Sequence, residues 1–269
     1  MRPVSQSYPW LSLTRPLPLA GLLLGLLLGA CQSPAVEWPA GKVFKTRGHQ
    51  LTYRAEHFGA TATYPFLVDT IAITARGTRM QLLDANARGD DTIRQWSTEY
   101  SYGAKAVAFG STGVLENDTA LWLHPPRTGR YRMLELSPFP YIKLPARQGQ
   151  RWPWSLAVGS QWADPQWAVW RGEIFIKYSY QTVGQQLLAT PLGPLTCWLV
   201  RAQASCPVGT SLLDSYYHPQ LGFVRLAYRT TDGRRLTLSL VDTARVDLPA
   251  ASPPTYLPKA WQMPNQVAR

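Results

Sequence analysis

The sequence predicts an all-β domain, an antiparallel curved sheet in the form of a half-barrel or sandwich, with little helix. Three observations predict it. Apolar and polar residues alternate with a period of two through the middle of the chain, helical windows are nearly absent, and turn residues recur about every ten positions. Antiparallel strands with one face in solvent read this way, whereas βαβ units interpose helical stretches. The chain has 269 residues, 45% of them hydrophobic and 11 of them Trp. At that length roughly three quarters of the unfolded surface is buried on folding, so no disulfide staples are needed. The expected organisation is a leader over 1–30, a tether over 31–44, one β domain over 45–247 and a Pro-rich tail over 248–269.

Taken in order, strands are predicted over Pro65–Ala75, Arg79–Ala85, Thr92–Tyr100, Ala120–His124 and Tyr131–Leu136, with a turn at Ala85-Asn86-Ala87-Arg88-Gly89. Pro138, Pro140 and Pro145 confine 138–145 to an edge or loop, because proline cannot donate to a ladder. Ala168–Tyr180, Gln185–Thr190 and Thr196–Ser205 follow, with turns at Val183-Gly184, Leu192-Gly193-Pro194 and Pro207-Val208-Gly209. The clearest pattern pairs Phe223–Tyr228 with Arg234–Asp242, where Leu236, Leu238 and Leu240 face one way and Thr237 and Ser239 the other. Asp232-Gly233 between them suits a two-residue type I′ turn, since glycine accepts positive φ. The tail carries Pro249, Pro253, Pro254, Pro258 and Pro264 and is expected to be extended, with Tyr256 and Trp261 lying on the domain.

Ahead of the domain, Arg2 and Arg15 precede an apolar run from Leu17 to Leu28 that closes on Leu28-Gly29-Ala30-Cys31. About a dozen apolar residues are too few for a stable membrane span but suit a signal-peptide core. The segment resembles the lipobox of bacterial lipoproteins. That resemblance implies a diacylglycerol on the Cys31 thiol, cleavage before it, and acylation of the new amino group. Each buried CH₂ contributes roughly 0.8 kcal/mol, so two or three chains anchor stably. Gln32 in place of an aspartate implies outer-membrane sorting, and the absence of an acidic run after Cys31 implies the periplasmic face. Membrane attachment through acylated Cys31 is thus the first expected partnership.

Lys and Arg total 27 against 16 acids; without Arg2 and Arg15 the mature chain keeps a formal +9. The arginines form no run, so the excess points to solubility and weak attraction to anionic lipid or polysaccharide, not to nucleic acid. Cys197 and Cys206 flank one predicted strand, and nine extended residues span about 30 Å, beyond disulfide reach unless the strand turns back. Buried free thiols are expected. His49, His57, His124 and His218 lack metal-ligand spacing, and no cofactor motif is present.

In the second half, Thr190-Pro191-Leu192-Gly193, Tyr216-Tyr217-His218-Pro219 and Leu221-Gly222-Phe223-Val224 resemble the turns of an uncharacterised family of β-rich bacterial envelope proteins. The resemblance covers about 150–242 and implies a curved sheet similar to the lipoprotein carrier and receptor half-barrels, with no catalytic residues.

Four constellations bear on function. Trp152, Trp154, Trp162, Trp167 and Trp170 are either core or an indole platform for sugar rings. Asp164 and Glu173 flank them and are the carboxyl pair a glycosidase would need. Asp214, Ser215 and His218 hold the groups of acyl transfer, but neighbours on a strand face opposite ways and no G-x-S-x-G elbow is present. His124-Pro125-Pro126-Arg127 ends a strand or presents a stiff edge to a partner. The expected function is a non-catalytic outer-membrane lipoprotein that holds a lipid tail or other apolar or amphipathic partner in a concave sheet. Carbohydrate binding through the five tryptophans is the alternative, and a hydrolase the third.

Overall fold

The computed structural model describes residues 42–79, 81–82, 95–103, 108–249 and 256–257. The chain divides into a unit of residues 1–37, outside the described residues, and a unit of 38–269. Leu28, Gly29, Ala30 and Cys31 therefore lie outside the described residues, as do the Ala85–Gly89 turn and Trp261.

The second unit is all-β, and twelve of its strands form one antiparallel, curled half-barrel sheet. The strands are β1 His49–Phe58, β2 Leu67–Arg79, β3 Gln81–Leu82, β4 Trp96–Tyr102, β5 Ala108–Glu116, β6 Ala120–Leu123 and β7 Tyr141–Lys143, then β8 Arg151–Gly159, β9 Glu173–Thr190, β10 Gly193–Cys206, β11 Gly209–His218, β12 Gly222–Arg229, β13 Arg235–Arg245 and β14 Tyr256–Leu257. From β8 to β13 the chain is a meander, β13 pairs with β1, and β2, β4, β5, β6 and β7 continue outward on the other side. The two outer strands, β7 and β8, are thus consecutive in the sheet strands of the chain. Curling brings them together, with Tyr141 on β7 5.4 Å from the Trp152 ring on β8. Separately, β14 pairs in parallel with β3.

Bulges help the curl. Register shifts at Thr52/Tyr53, Leu199/Val200 and Tyr216/Tyr217 each insert a residue and increase local twist. A fourth, between Ala75 and Arg79, holds Gly77 at φ 65°, where a Cβ would stand 2.5 Å from that of Arg47. Only glycine fits there.

Most strands turn one row inward, while β6 is buried along its whole length. Trp152, Trp154, Leu156 and Val158 alternate with outward residues on β8, as Ile174, Ile176, Tyr178 and Tyr180 do on β9 and Leu236, Leu238 and Leu240 on β13. Cross-strand ring pairs knit the inner face: Trp152 stacks on Tyr180 at 5.3 Å and Trp154 on Tyr178 at 4.7 Å, each pair directly opposed in register. Against these rows lies the chain's own segment between β6 and β7, which buries Tyr131, Leu134, Leu136 and Phe139. Phe139 touches Trp122, Trp154 and Tyr178, its carbonyl accepts the Tyr180 hydroxyl at 3.1 Å, and the Leu136 carbonyl accepts Ser211 Oγ at 2.9 Å.

Several local expectations change. The strand predicted over Tyr131–Leu136 is a 3-10 helix, Gly129–Leu136, started by Gly129 at φ 57° after Pro125-Pro126 stops the ladder. It buries Tyr131, Leu134, Glu135 and Leu136, a set without the strict alternation of a strand. No turn interrupts 183–184; β9 runs on, with Gly184 absorbing the bulge opposite Leu199/Val200. Residues 168–172 are not strand, because Gly172 at φ 68° turns the chain just before β9. The β12–β13 hairpin forms where predicted, but not with a two-residue turn: Gly233 N–H donates to the Thr230 carbonyl and Thr230 N–H to that of Arg234, so Thr231, Asp232 and Gly233 form the loop with Gly233 at φ 81°. Thr230 Oγ1 and the Arg234 N–H both donate to Asp232 Oδ1, which favours the longer loop.

Cys197 and Cys206 lie on the same strand, β10, and both are free thiols, Cys197 buried. Val43 and Phe44, which fall within the predicted tether, are buried in the core. The Glu116 carboxylate at the end of β5 holds them, accepting the backbone N–H groups of Val43 and Phe44 at 2.8 Å and Lys45 at 3.1 Å. Burial raises its proton affinity, while these three donors and Lys42 pull the other way.

Candidate functional site

The aromatic, polar interior is the first place to look for chemistry. His124 is fully buried, and neither ring nitrogen meets a partner among the described residues. Burial, and then the Arg127 charge, push its pKa well below the usual imidazole value, so the ring is neutral. Its carbonyl accepts the Tyr100 hydroxyl at 2.5 Å. The Arg127 guanidinium donates to Thr112 Oγ1, lies 3.9 Å from Glu135 Oε2, and stands 6.0 Å from the Trp162 ring. An acid and an imidazole are therefore neighbours of one arginine, but His124 is 3% and Glu135 5% exposed. A sealed group meets no substrate; these residues fix the 124–136 segment against the sheet.

The five tryptophans go mostly to the core. Trp152, Trp154 and Trp162 are buried, and Trp167 and Trp170 pack on them half-buried, their indole N–H groups donating to the Trp162 and Val158 carbonyls at 3.3 Å. Rings already stacked on Tyr178 and Tyr180 present no exposed row to a sugar. Asp164 Oδ1 accepts the Gln166 N–H at 2.9 Å within a turn, and Glu173 opens β9 exposed to solvent. No hydrogen bond or ion pair joins these two carboxyls among the described residues. The Asp214, Ser215 and His218 groups also separate. Asp214 takes a bidentate Arg201 at 2.9 and 3.0 Å, Ser215 Oγ donates to the Val200 carbonyl, and His218 Nδ1 accepts the Gln220 N–H.

An open concavity lies instead at one rim of the barrel. It is a cavity of about 120 Å³ lined chiefly by His57, Phe58, Phe66, Leu134, Arg130 and Arg235. Three elements build it: the end of β1 with the loop leading to β2, the 3-10 helix, and the β12–β13 turn. Arg235 donates to the Ala62 carbonyl and lies 5.1 Å over the Phe58 ring, which fixes the loop. His57 Nε2 lies 3.2 Å from the Tyr131 hydroxyl, which donates to Asp69 Oδ2 at 3.4 Å. Burial, and next Arg130, lower the His57 pKa, with Asp69 opposing. Arg234 is engaged by Asp232 at 2.8 Å, whereas Arg130 is exposed and has no acidic partner among the described residues. On the same rim, Tyr64 is 82% and Phe66 65% exposed, with Val68 beside them. This rim lies at the far end of β1 from the Glu116 clasp, about 30 Å along a ten-residue strand.

None of these rim residues follows from alternation. Two aromatics bracketing a proline in Tyr64-Pro65-Phe66 were the available signal, and an exposed aromatic pair in a loop reads there like any strand start.

No family model matches the sequence, and no curated protein matches it. Among solved structures, the chain is similar to a lipoprotein, so described, from Parabacteroides distasonis, at 12% identity over 77% of this chain and all of that one, with a TM-score of 0.44. It is similar also to a protein described as exported, with a YmcC-like fold, from Bacteroides fragilis, at 11% identity over 74% of this chain and 97% of that one, TM-score 0.41. A third is the lipoprotein YmcC of Escherichia coli, at 7% identity over 76% of this chain and 88% of that one, TM-score 0.34. The functional reading rests on the residues of this chain.

Proposed function

We propose that the chain is a non-catalytic lipoprotein of the bacterial envelope, acylated at Cys31, held on the outer membrane facing the periplasm, whose β domain binds an apolar or amphipathic ligand. The carrying observation is the apolar run that closes on Leu28-Gly29-Ala30-Cys31. Binding without catalysis is supported by the sealing of His124 and Glu135 and by the open, largely apolar rim cavity. Our reading sets the ligand elsewhere than the concave sheet that the sequence suggests. The concave face is filled by the chain's own Tyr131, Leu134, Leu136 and Phe139, so the rim takes its place. Metabolic labelling with palmitate tests the anchor. The wild-type chain takes up label and Cys31→Ser does not; an unlabelled wild-type chain would overturn the anchored reading.

A further inference from the structure

The geometry points to an anionic acyl amphiphile as the occupant of the rim cavity, its chain end among Phe58, Phe66 and Leu134 and its head group on Arg130. This deepens the binding reading above and rests on it, though not on the anchor. Four observations carry it. The wall sets Phe58, Phe66, Met133, Leu134 and Leu236 beside polar and charged residues, and about 120 Å³ holds a chain end but not a whole lipid. Phe66, at 65% exposed, stands partly outside the cavity, so burial under a hydrocarbon chain would remove apolar area from water at about 25 cal/mol per Å². Three arginines line the place where a head group would sit. Arg130 has no acidic partner among the described residues, Arg234 is neutralised by Asp232, and Arg235 holds the loop through Ala62. Finally, the nearby Asp69 carboxylate is engaged by the Tyr131 hydroxyl at 3.4 Å and forms no ion pair with Arg130. An ionised head group on an arginine makes a charge-assisted hydrogen bond, roughly twice as strong as a neutral one.

The test uses the mature chain, residues 31–269 with Cys31→Ser, titrated by calorimetry with dodecyl phosphate below its micelle concentration. Dodecyl maltoside and inorganic phosphate are the comparison probes. Saturable binding of one dodecyl phosphate is expected, with inorganic phosphate silent and the neutral surfactant weaker by roughly tenfold. Arg130→Glu and Phe66→Ser each lower dodecyl phosphate affinity by roughly tenfold or more. Both side chains are surface-exposed, and an unchanged urea midpoint confirms that each variant folds. If both surfactants bind equally and neither variant matters, the rim assignment falls while the binding reading stands. If neither surfactant binds, both fall. Binding to phosphatidylglycerol vesicles without binding of the monomeric probe overturns the proposal in favour of membrane-surface docking.

Discussion

Trp154→Ala is expected to destabilise the domain by about 3–5 kcal/mol, read from the urea midpoint at an unchanged slope. The ring is 8% exposed and bounded on several sides: Tyr178 stacks on it at 4.7 Å, Phe139 lies at 5.3 Å and Trp122 at 5.8 Å. Phe139 belongs to the segment that fills the barrel, and Trp122 to β6 at the other side of the sheet. Removing the indole therefore leaves a cavity where the segment and both ends of the sheet meet, which cannot collapse without moving all three. Leu187→Ala, on the outer face and 75% exposed, is the comparison, expected within about 0.5 kcal/mol of wild type. A Trp154→Ala cost below about 1 kcal/mol would show that the ring is not packed as described.

A second large effect is expected in the pH dependence of stability. Burial pushes the Glu135 carboxyl up from 4.5 to about 7, with Arg127 opposing. The charged and titratable groups facing it are Arg127, 3.9 Å away, and Tyr178, whose hydroxyl is likewise held protonated by burial. The folded protein thus keeps a proton that the unfolded chain releases near 4.5. The stability from this group is fully present below that pH and is lost as pH rises through 7; the separation corresponds to about 3 kcal/mol. Glu135→Gln has no such proton to lose. Denaturant titrations between pH 4 and 8 should therefore show the wild type losing about 3 kcal/mol relative to the glutamine variant. A difference that stays constant across the interval would contradict the assignment.

Part of the strand pattern was legible because it depends only on one face being wet, although no strand was expected over His49–Phe58, Ala108–Glu116, Arg151–Gly159 or Gly209–His218. β8, β10, β12 and β13 alternate in sequence as they do in burial, and the β10–β11 turn falls at Pro207-Val208. What alternation does not encode is the contact between distant segments. Tyr131–Leu136 reads as a strand, yet Pro125-Pro126 and Gly129 fold it into a 3-10 turn, and the chain that follows it sets Phe139 against Trp154 on β8 and Tyr178 on β9. The segment from Gly129 to Tyr141 makes the concave face core and not an open trough, with Phe139 on Trp154 and Tyr141 on Trp152. The rim was illegible for the same reason. Phe58, Phe66, Arg130 and Arg235 are spread over four parts of the sequence and meet only when β1, the 3-10 helix and the β12–β13 turn share one end of the barrel.

The most direct test is native mass spectrometry of the wild-type protein released from membranes in a mild neutral detergent. One anionic lipid-like molecule should remain on each wild-type chain and be missing from Arg130→Glu prepared in the same way. A wild-type chain that carries no such molecule, or a variant that keeps it, would contradict the account of this domain as a binder of amphiphiles at its rim.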